Sequence, residues 1–239
     1  MSLFFKLLRW DFIREMRRKE SLLNMILFAI LTLFLIQMGA GPLFARLRGI
    51  PGDDFFITMT SKLGAVYFWV TVLFSGTVGL NQSFASEREG AAIDGIALSP
   101  IDLGIFYLAK VVATWVYVMA MELCLLGGFL ILFSHTPAKN LGGLVACLGV
   151  FTLGYVALGV TFAAMTSILR GGGEVVLRIL LFPLLMPMVY LTLGVPEANF
   201  GTSVTTPPTP LGQYLALLGA FDVIYLTSGF LLFPKIFDE

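Results

Sequence analysis

The chain has 239 residues, of which 58% are hydrophobic and 13% charged, with no formal net charge and a mean hydropathy of +0.92. The charged share is about half that of soluble domains, which excludes an ordinary water-soluble fold and reads as one membrane domain of several helices. A zero charge balance supplies no global basic field for nucleic acid, and 22 phenylalanines with 25 glycines suit closely packed membrane helices.

Residues 1–21 read as an amphipathic helix lying on the membrane surface. Trp10, Phe12 and Ile13 are interleaved with Lys6, Arg9, Arg14, Arg17, Arg18 and Lys19. Asp11, Glu15 and Glu20 argue against both a nucleic-acid arm and a cleaved leader, so the apolar run that follows is expected to be a retained span. That first span is predicted over 22–41, closing near Gly39-Ala40-Gly41-Pro42. The second is predicted over 63–83, with Tyr67, Phe68 and Trp69 near its start as an aromatic belt.

A polar segment, 84–102, separates the second span from the third. It holds Phe84, Glu87, Arg88, Glu89, Gly90, Asp94, Ser99 and Pro100. So much charge cannot stay in hydrocarbon and must emerge on one side of the membrane. It reads either as a plain connection or as a short interfacial helix, with Phe84, Ile93 and Ile96 on its apolar side, that docks a partner. Further spans are predicted over 103–133, 141–169, 175–194 and 211–233, making one transmembrane domain with the surface helix and the polar segment.

The fourth span carries Gly149, Gly154 and Gly159, small residues that permit close helix approach. The RGGGE turn that follows, Arg170 to Glu174, lacks the lysine and hydroxyl residue of a phosphate-binding loop, so no ATP hydrolysis is expected of this chain. Pro183 and Pro187 in the fifth span should kink or break its helix, which is tolerable only against protein or a cavity. Residues 195–210, rich in Thr and Pro, read as an outer loop.

Two acids fall within spans, Glu122 in the third and Asp222 in the sixth. A charged carboxylate at that depth costs about 2.5 kcal/mol or more, so each should face protein or water, or carry a proton. They read as a proton or substrate path, or as hydrogen-bonded packing contacts. Cys124 and Cys147 both lie in apolar runs, lack metal-ligand spacing and read as packing thiols, and no metal site is predicted. Six spans place both termini on one side. Eleven of the 15 lysines and arginines then fall on that side, which the positive-inside rule makes the cytoplasm.

The polar segment and the turn after the fourth span together resemble the CcmB family, the permease subunits of the bacterial cytochrome c maturation transporter. The matching residues are Phe84, Glu87, Gly90, Asp94, Ser99-Pro100 and Leu108-Ala109-Lys110, then Arg170, Gly172, Phe182-Pro183 and Pro187. Asp94 stands where that family usually has Glu. The resemblance implies an all-α, ABC-2-type permease in the bacterial inner membrane, with the segment between spans two and three as a cytoplasmic coupling helix. It further implies a CcmA-like ATPase subunit that uses ATP, CcmC-like and CcmD-like membrane proteins, and a CcmE-like heme chaperone. A homodimer of the permease is expected beside them, since motion at helix ends must pass symmetrically through a closed oligomer. Heme is then the substrate of the complex, with no cofactor assigned to this chain. The permease of another ABC-2 exporter, for a lipid-linked glycan or a drug, shares the fold and is the competing reading; a membrane enzyme or proton-coupled carrier built on Glu122 and Asp222 has no paired catalytic groups behind it.

Overall fold

In a computed structural model, residues 19–48, 54–89, 102–132, 141–167, 173–200 and 211–237 are described. Six helices occupy them: α1 (Lys19–Arg48), α2 (Asp54–Glu89), α3 (Leu103–Leu132), α4 (Leu141–Ser167), α5 (Gly173–Phe200) and α6 (Leu211–Phe237). The predicted surface helix over 1–21 lies outside the described residues, except that Lys19 to Ser21 belong to α1.

Five of the helices contain stretches long and apolar enough to cross a membrane, and the described part of α5 contributes a shorter apolar stretch, Ile179–Leu193. Several helices outrun the apolar runs that mark them. α1 passes through Gly39, Gly41 and Pro42 instead of stopping there. Proline removes only one helical hydrogen bond, and the carbonyl it frees can be hydrated near a membrane surface. α2 has 36 residues, about 54 Å at 1.5 Å per residue, so its polar ends must leave a hydrocarbon layer of about 30 Å. α5 continues through Pro196 to Phe200, into the predicted outer loop, and α6 continues through Pro234 to Phe237, into the predicted tail.

α4 is the centre. It packs against α2, α3, α5 and α6, whereas α1 lies chiefly on α2 and α3. Of the stretch Leu141–Thr166, 72% is buried, against 17% of Leu22–Gly39 in α1. The outward faces of α1, α5 and α6 are correspondingly apolar, with Leu27, Phe34, Met186, Tyr190, Val223 and Leu231 exposed. Hydrocarbon outside and polar groups inside is the arrangement a bilayer demands.

The glycines of α4 do not form one face. Five residues turn a helix by about 140° beyond a full turn, so each glycine meets a different neighbour. Gly149 lies against Trp115 of α3, Gly154 against Asp222 of α6 and Met188 of α5, and Gly159 against Leu80 of α2. The central helix is approached closely from three sides, as small residues permit.

Phe68 and Trp69 are buried in the core, not set in an interfacial belt. Phe68 meets Phe129 edge-on with ring centroids 5.4 Å apart, and Trp69 meets Phe151 at 4.5 Å. Such pairs contribute about 0.5–1.5 kcal/mol each beyond their burial and tie α2 to α3 and α4. The two thiols also differ from expectation: Cys147 is buried, but Cys124 is exposed on α3. It borders an apolar cleft of about 220 Å³ between α1 and α3, lined also by Ile26, Ile30, Leu33, Met121 and Gly128. An uncharged maleimide should therefore modify Cys124 and spare Cys147 in the folded, detergent-solubilised protein. Mass spectrometry of the labelled chain checks this, and modification of Cys147 before unfolding would contradict the packing of α4.

Candidate functional site

The polar segment between α2 and α3 begins on a helix. α2 runs unbroken to Glu89, so Phe84, Glu87, Arg88 and Glu89 occupy its last turns and not a separate element. Gly90, Asp94, Ser99 and Pro100 lie outside the described residues. At the far end, Asp102 caps α3. Its Oδ1 accepts the Gly104 N–H at 2.8 Å, and its carbonyl accepts the Phe106 N–H at 3.1 Å. A carboxylate at that position satisfies an N–H group with no partner inside the helix and favours the positive helix end. The signal for it in the sequence is an Asp directly ahead of an apolar run. Two turns on, Lys110 is buried at 2% exposure, inside α3, although it counts among the lysines at the inner ends of the spans.

Deeper in the bundle, polar groups gather around α4. Glu122 is fully buried on α3. Thr152 Oγ1 of α4 lies 2.5 Å from Glu122 Oε2 and 2.7 Å from the Leu148 carbonyl. The other oxygen, Glu122 Oε1, is buried without a hydrogen-bond partner. Asp222 of α6, 5% exposed, sets Oδ1 against the backbone of Gly154. Thr152 and Gly154 are two residues apart on α4, about 3 Å along its axis and on nearly opposite sides. Glu122 and Asp222 therefore share one level, separated by α4.

Side-chain hydrogen bonds to backbone carbonyls continue this layer. Trp115 donates its indole N–H to the Gly149 carbonyl at 2.9 Å, and Tyr107 its hydroxyl to the Ala157 carbonyl at 3.1 Å. Both link α3 to α4. Tyr155 donates to the Leu73 carbonyl of α2 at 3.1 Å, with the Thr77 hydroxyl also 3.1 Å away. Interhelical hydrogen bonds of this kind are worth about 0.6–1.7 kcal/mol each in a bilayer. Thr152, Tyr155 and Thr77 escaped the sequence reading because hydroxyl residues within spans carry no distinguishing pattern.

α5 is continuous through Pro183 and Pro187, so neither proline breaks it. Both are exposed on its outer face, together with Ile179, Leu180, Met186 and Tyr190. The carbonyls four residues before each proline, those of Ile179 and Pro183, lose their helical donors. On the inner side, Tyr225 of α6 donates its hydroxyl to the Leu184 carbonyl at 2.7 Å and holds α5 in place.

The cleft between α1 and α3 has an almost wholly apolar lining, without histidine or carboxylate. Among the described residues, no group of three or more His, Cys, Asp or Glu side chains could hold a metal ion. His135 lies outside the described residues.

An all-helical bundle with apolar faces outward, buried carboxylates and polar helix extensions defines a multi-pass membrane protein. Comparison with known proteins gives it a family. Residues 2–233 match the family model described as CcmB protein, and the chain belongs to that family. It is similar to three proteins that each bear the name heme exporter protein B. That of Haemophilus influenzae is 27% identical over 221 residues, covering 92% of this chain and 90% of the relative. That of Escherichia coli K12 is 27% identical over 223 residues, covering 91% and 90%. The Pseudomonas aeruginosa protein is 28% identical over 183 residues, covering 77% and 75%.

The close approach at Gly154 makes a sharp test of the central layer. A Cβ there would overlap Asp222 Oδ1 and Met188, whereas one at Gly219 would meet nothing within 4 Å. Gly154→Val should cost about 1–3 kcal/mol through overpacking, and Gly219→Ala should be neutral or slightly stabilising. Thermal unfolding in detergent, followed by size-exclusion chromatography, distinguishes the two.

Proposed function

We propose that this chain is the membrane permease subunit of an ABC transporter complex for cytochrome c maturation. In this reading it carries no hydrolytic chemistry of its own. A CcmA-like partner hydrolyses ATP, and the permease couples that hydrolysis to heme handling and release of the heme-loaded, CcmE-like chaperone, beside CcmC-like and CcmD-like proteins. The observation that carries the reading is the family match over nearly the whole chain, together with relatives named heme exporter protein B that align over about nine-tenths of it. The chain would sit in the bacterial inner membrane as a single domain of six spans and a surface helix, with both termini in the cytoplasm.

The coupling element in this proposal is the segment 84–102, with Phe84, Glu87, Arg88, Glu89, Gly90, Asp94, Ser99 and Pro100 facing the ATPase. Its attachment to α2 supports the role. From Thr77, which meets Tyr155 in the core, to Glu89 the chain is one continuous helix, about 18 Å long. A push on its end therefore reaches the centre of the bundle without passing through a loop. Asp102, as the cap of α3, fixes the other end of the segment.

Two permease copies are the proposed assembly, meeting on the outer face of α5. The support is physical: hydrocarbon cannot satisfy the carbonyls that Pro183 and Pro187 leave without donors, whereas a protein contact or enclosed water can. With Cys124 and Cys147 replaced, Met186→Cys on that face should form a disulfide-linked dimer on mild oxidation, and Leu35→Cys on the outer face of α1 should not. Non-reducing gel electrophoresis of membranes reads the result; equal cross-linking at both positions would remove α5 from the interface.

The function itself is tested by affinity purification of the tagged chain from its native membrane, with mass spectrometry of the co-purifying proteins. An ATPase recovered with CcmC-like and CcmE-like proteins is the expected outcome. An ATPase recovered with glycan-synthesis or drug-efflux proteins would overturn the substrate assignment while keeping the permease architecture. Glu87→Lys should abolish recovery of the ATPase, or its coupled activity, while the chain still inserts in the membrane. Retention of both would remove the segment from the coupling role.

A further inference from the structure

The hydrogens around Glu122 can be counted. Thr152 Oγ1 stands 2.5 Å from Glu122 Oε2 and 2.7 Å from the Leu148 carbonyl oxygen, two contacts of hydrogen-bond length. A threonine hydroxyl has one proton to donate, and a carbonyl has none. If Glu122 were a carboxylate, one of the two short oxygen contacts would have no hydrogen in it. A proton on Oε2 supplies the missing hydrogen and makes both contacts bonds.

The surroundings favour the same arrangement. Glu122 is fully buried, and its second oxygen has no hydrogen-bond partner. An unpartnered oxygen is far less costly on a neutral acid than on an anion. Among the described side chains the only basic ones are Lys110 and Lys235. Lys110 is twelve residues from Glu122 on the same helix, about 18 Å along the axis. Lys235 is thirteen residues beyond Asp222, which shares the level of Glu122, and so lies about 20 Å away. Neighbouring hydroxyls are committed elsewhere: Ser75 to the Thr71 carbonyl at 2.6 Å and Tyr155 to the Leu73 carbonyl at 3.1 Å.

We propose that Glu122 is a neutral carboxylic acid whose Oε2 donates to Thr152 Oγ1, which in turn donates to the Leu148 carbonyl, so that the pair clamps α3 to α4. Glu122 is then a positioning residue holding a structural proton, and not a step in a proton path. This goes beyond the permease reading and stands whether or not that reading holds.

Infrared spectroscopy of the full chain in lipid nanodiscs, with glutamate labelled with ¹³C at the side-chain carboxyl, tests the assignment. The expected spectrum near neutral pH contains a carboxylic-acid carbonyl band that moves on labelling, which separates it from Asp222. Glu122→Gln should remove the band, and Thr152→Val should shift its frequency by taking away the acceptor. A wild-type spectrum without a label-sensitive acid band overturns the proposal in a single measurement that needs no variant. So does a band that survives Glu122→Gln or ignores Thr152→Val. Stability gives an independent readout, because a Gln amide can donate to Thr152 as the acid does. Glu122→Gln should leave the thermal midpoint in detergent within about 1 °C, while Thr152→Val lowers it by about 3 °C or more; equal losses would count against the clamp.

Discussion

A bilayer offers buried polar groups no hydrogen-bond partners, so any partner that a buried donor or acceptor has must come from the protein. In this chain such partners are concentrated on one helix. α4 receives Glu122 at Thr152, Trp115 at the Gly149 carbonyl and Tyr107 at the Ala157 carbonyl, and it sends Tyr155 to α2. These contacts require short distances between helices, and the glycines of α4 provide them on three sides. Burial of α4 and satisfaction of the polar groups are thus one arrangement. Were α4 pushed outward by a bulkier residue, the carboxyl groups of Glu122 and Asp222 would lose the surfaces that shield them.

The helices around this centre divide into two kinds. α2 and α3 share its aromatic and polar contacts and continue to the ends of the polar segment, one as a long unbroken rod and the other behind the Asp102 cap. α1 and the outer faces of α5 and α6 present apolar side chains outward, as lipid contact requires. α5 is the exception among the outer faces, because two exposed prolines leave carbonyls that lipid cannot satisfy. A rigid rod reaching the core on one side and an incompletely satisfied helix on another fit a subunit that works through partners. Stability is then expected to be shared between the chain and its assembly.

The two intramembrane acids show how position settles chemistry. Both interrupt apolar runs, and both lie at one level of the bundle, yet they do not touch, because α4 stands between them. A path that required direct transfer from one to the other would have to pass through the packed backbone near Gly154. Their separate neighbours, a threonine hydroxyl for Glu122 and a glycine backbone for Asp222, suit separate structural roles better than a shared relay.

Much of this protein was legible without coordinates. Apolar runs of bilayer length, the polar segment between the second and third, and the excess of glycine are local properties, and they determined a helical membrane protein with a charged stretch at Glu87–Glu89, which the structure places on the last turns of α2. The motif residues around that stretch pointed to the family that the whole-chain comparison then gave. Helix ends were less legible, since helices continue into polar sequence wherever no residue stops them: α2 ran on past Ser83 and α5 past Gly194. What only the tertiary structure decided was direction. A spacing of five residues does not say which neighbour each glycine of α4 meets, nor does an aromatic trio say whether Trp69 faces lipid headgroups or Phe151. The partner of Glu122 lies 30 residues away, at Thr152, on another helix. Contacts between helices depend on how the bundle is assembled around α4, and no local pattern along the chain encodes that.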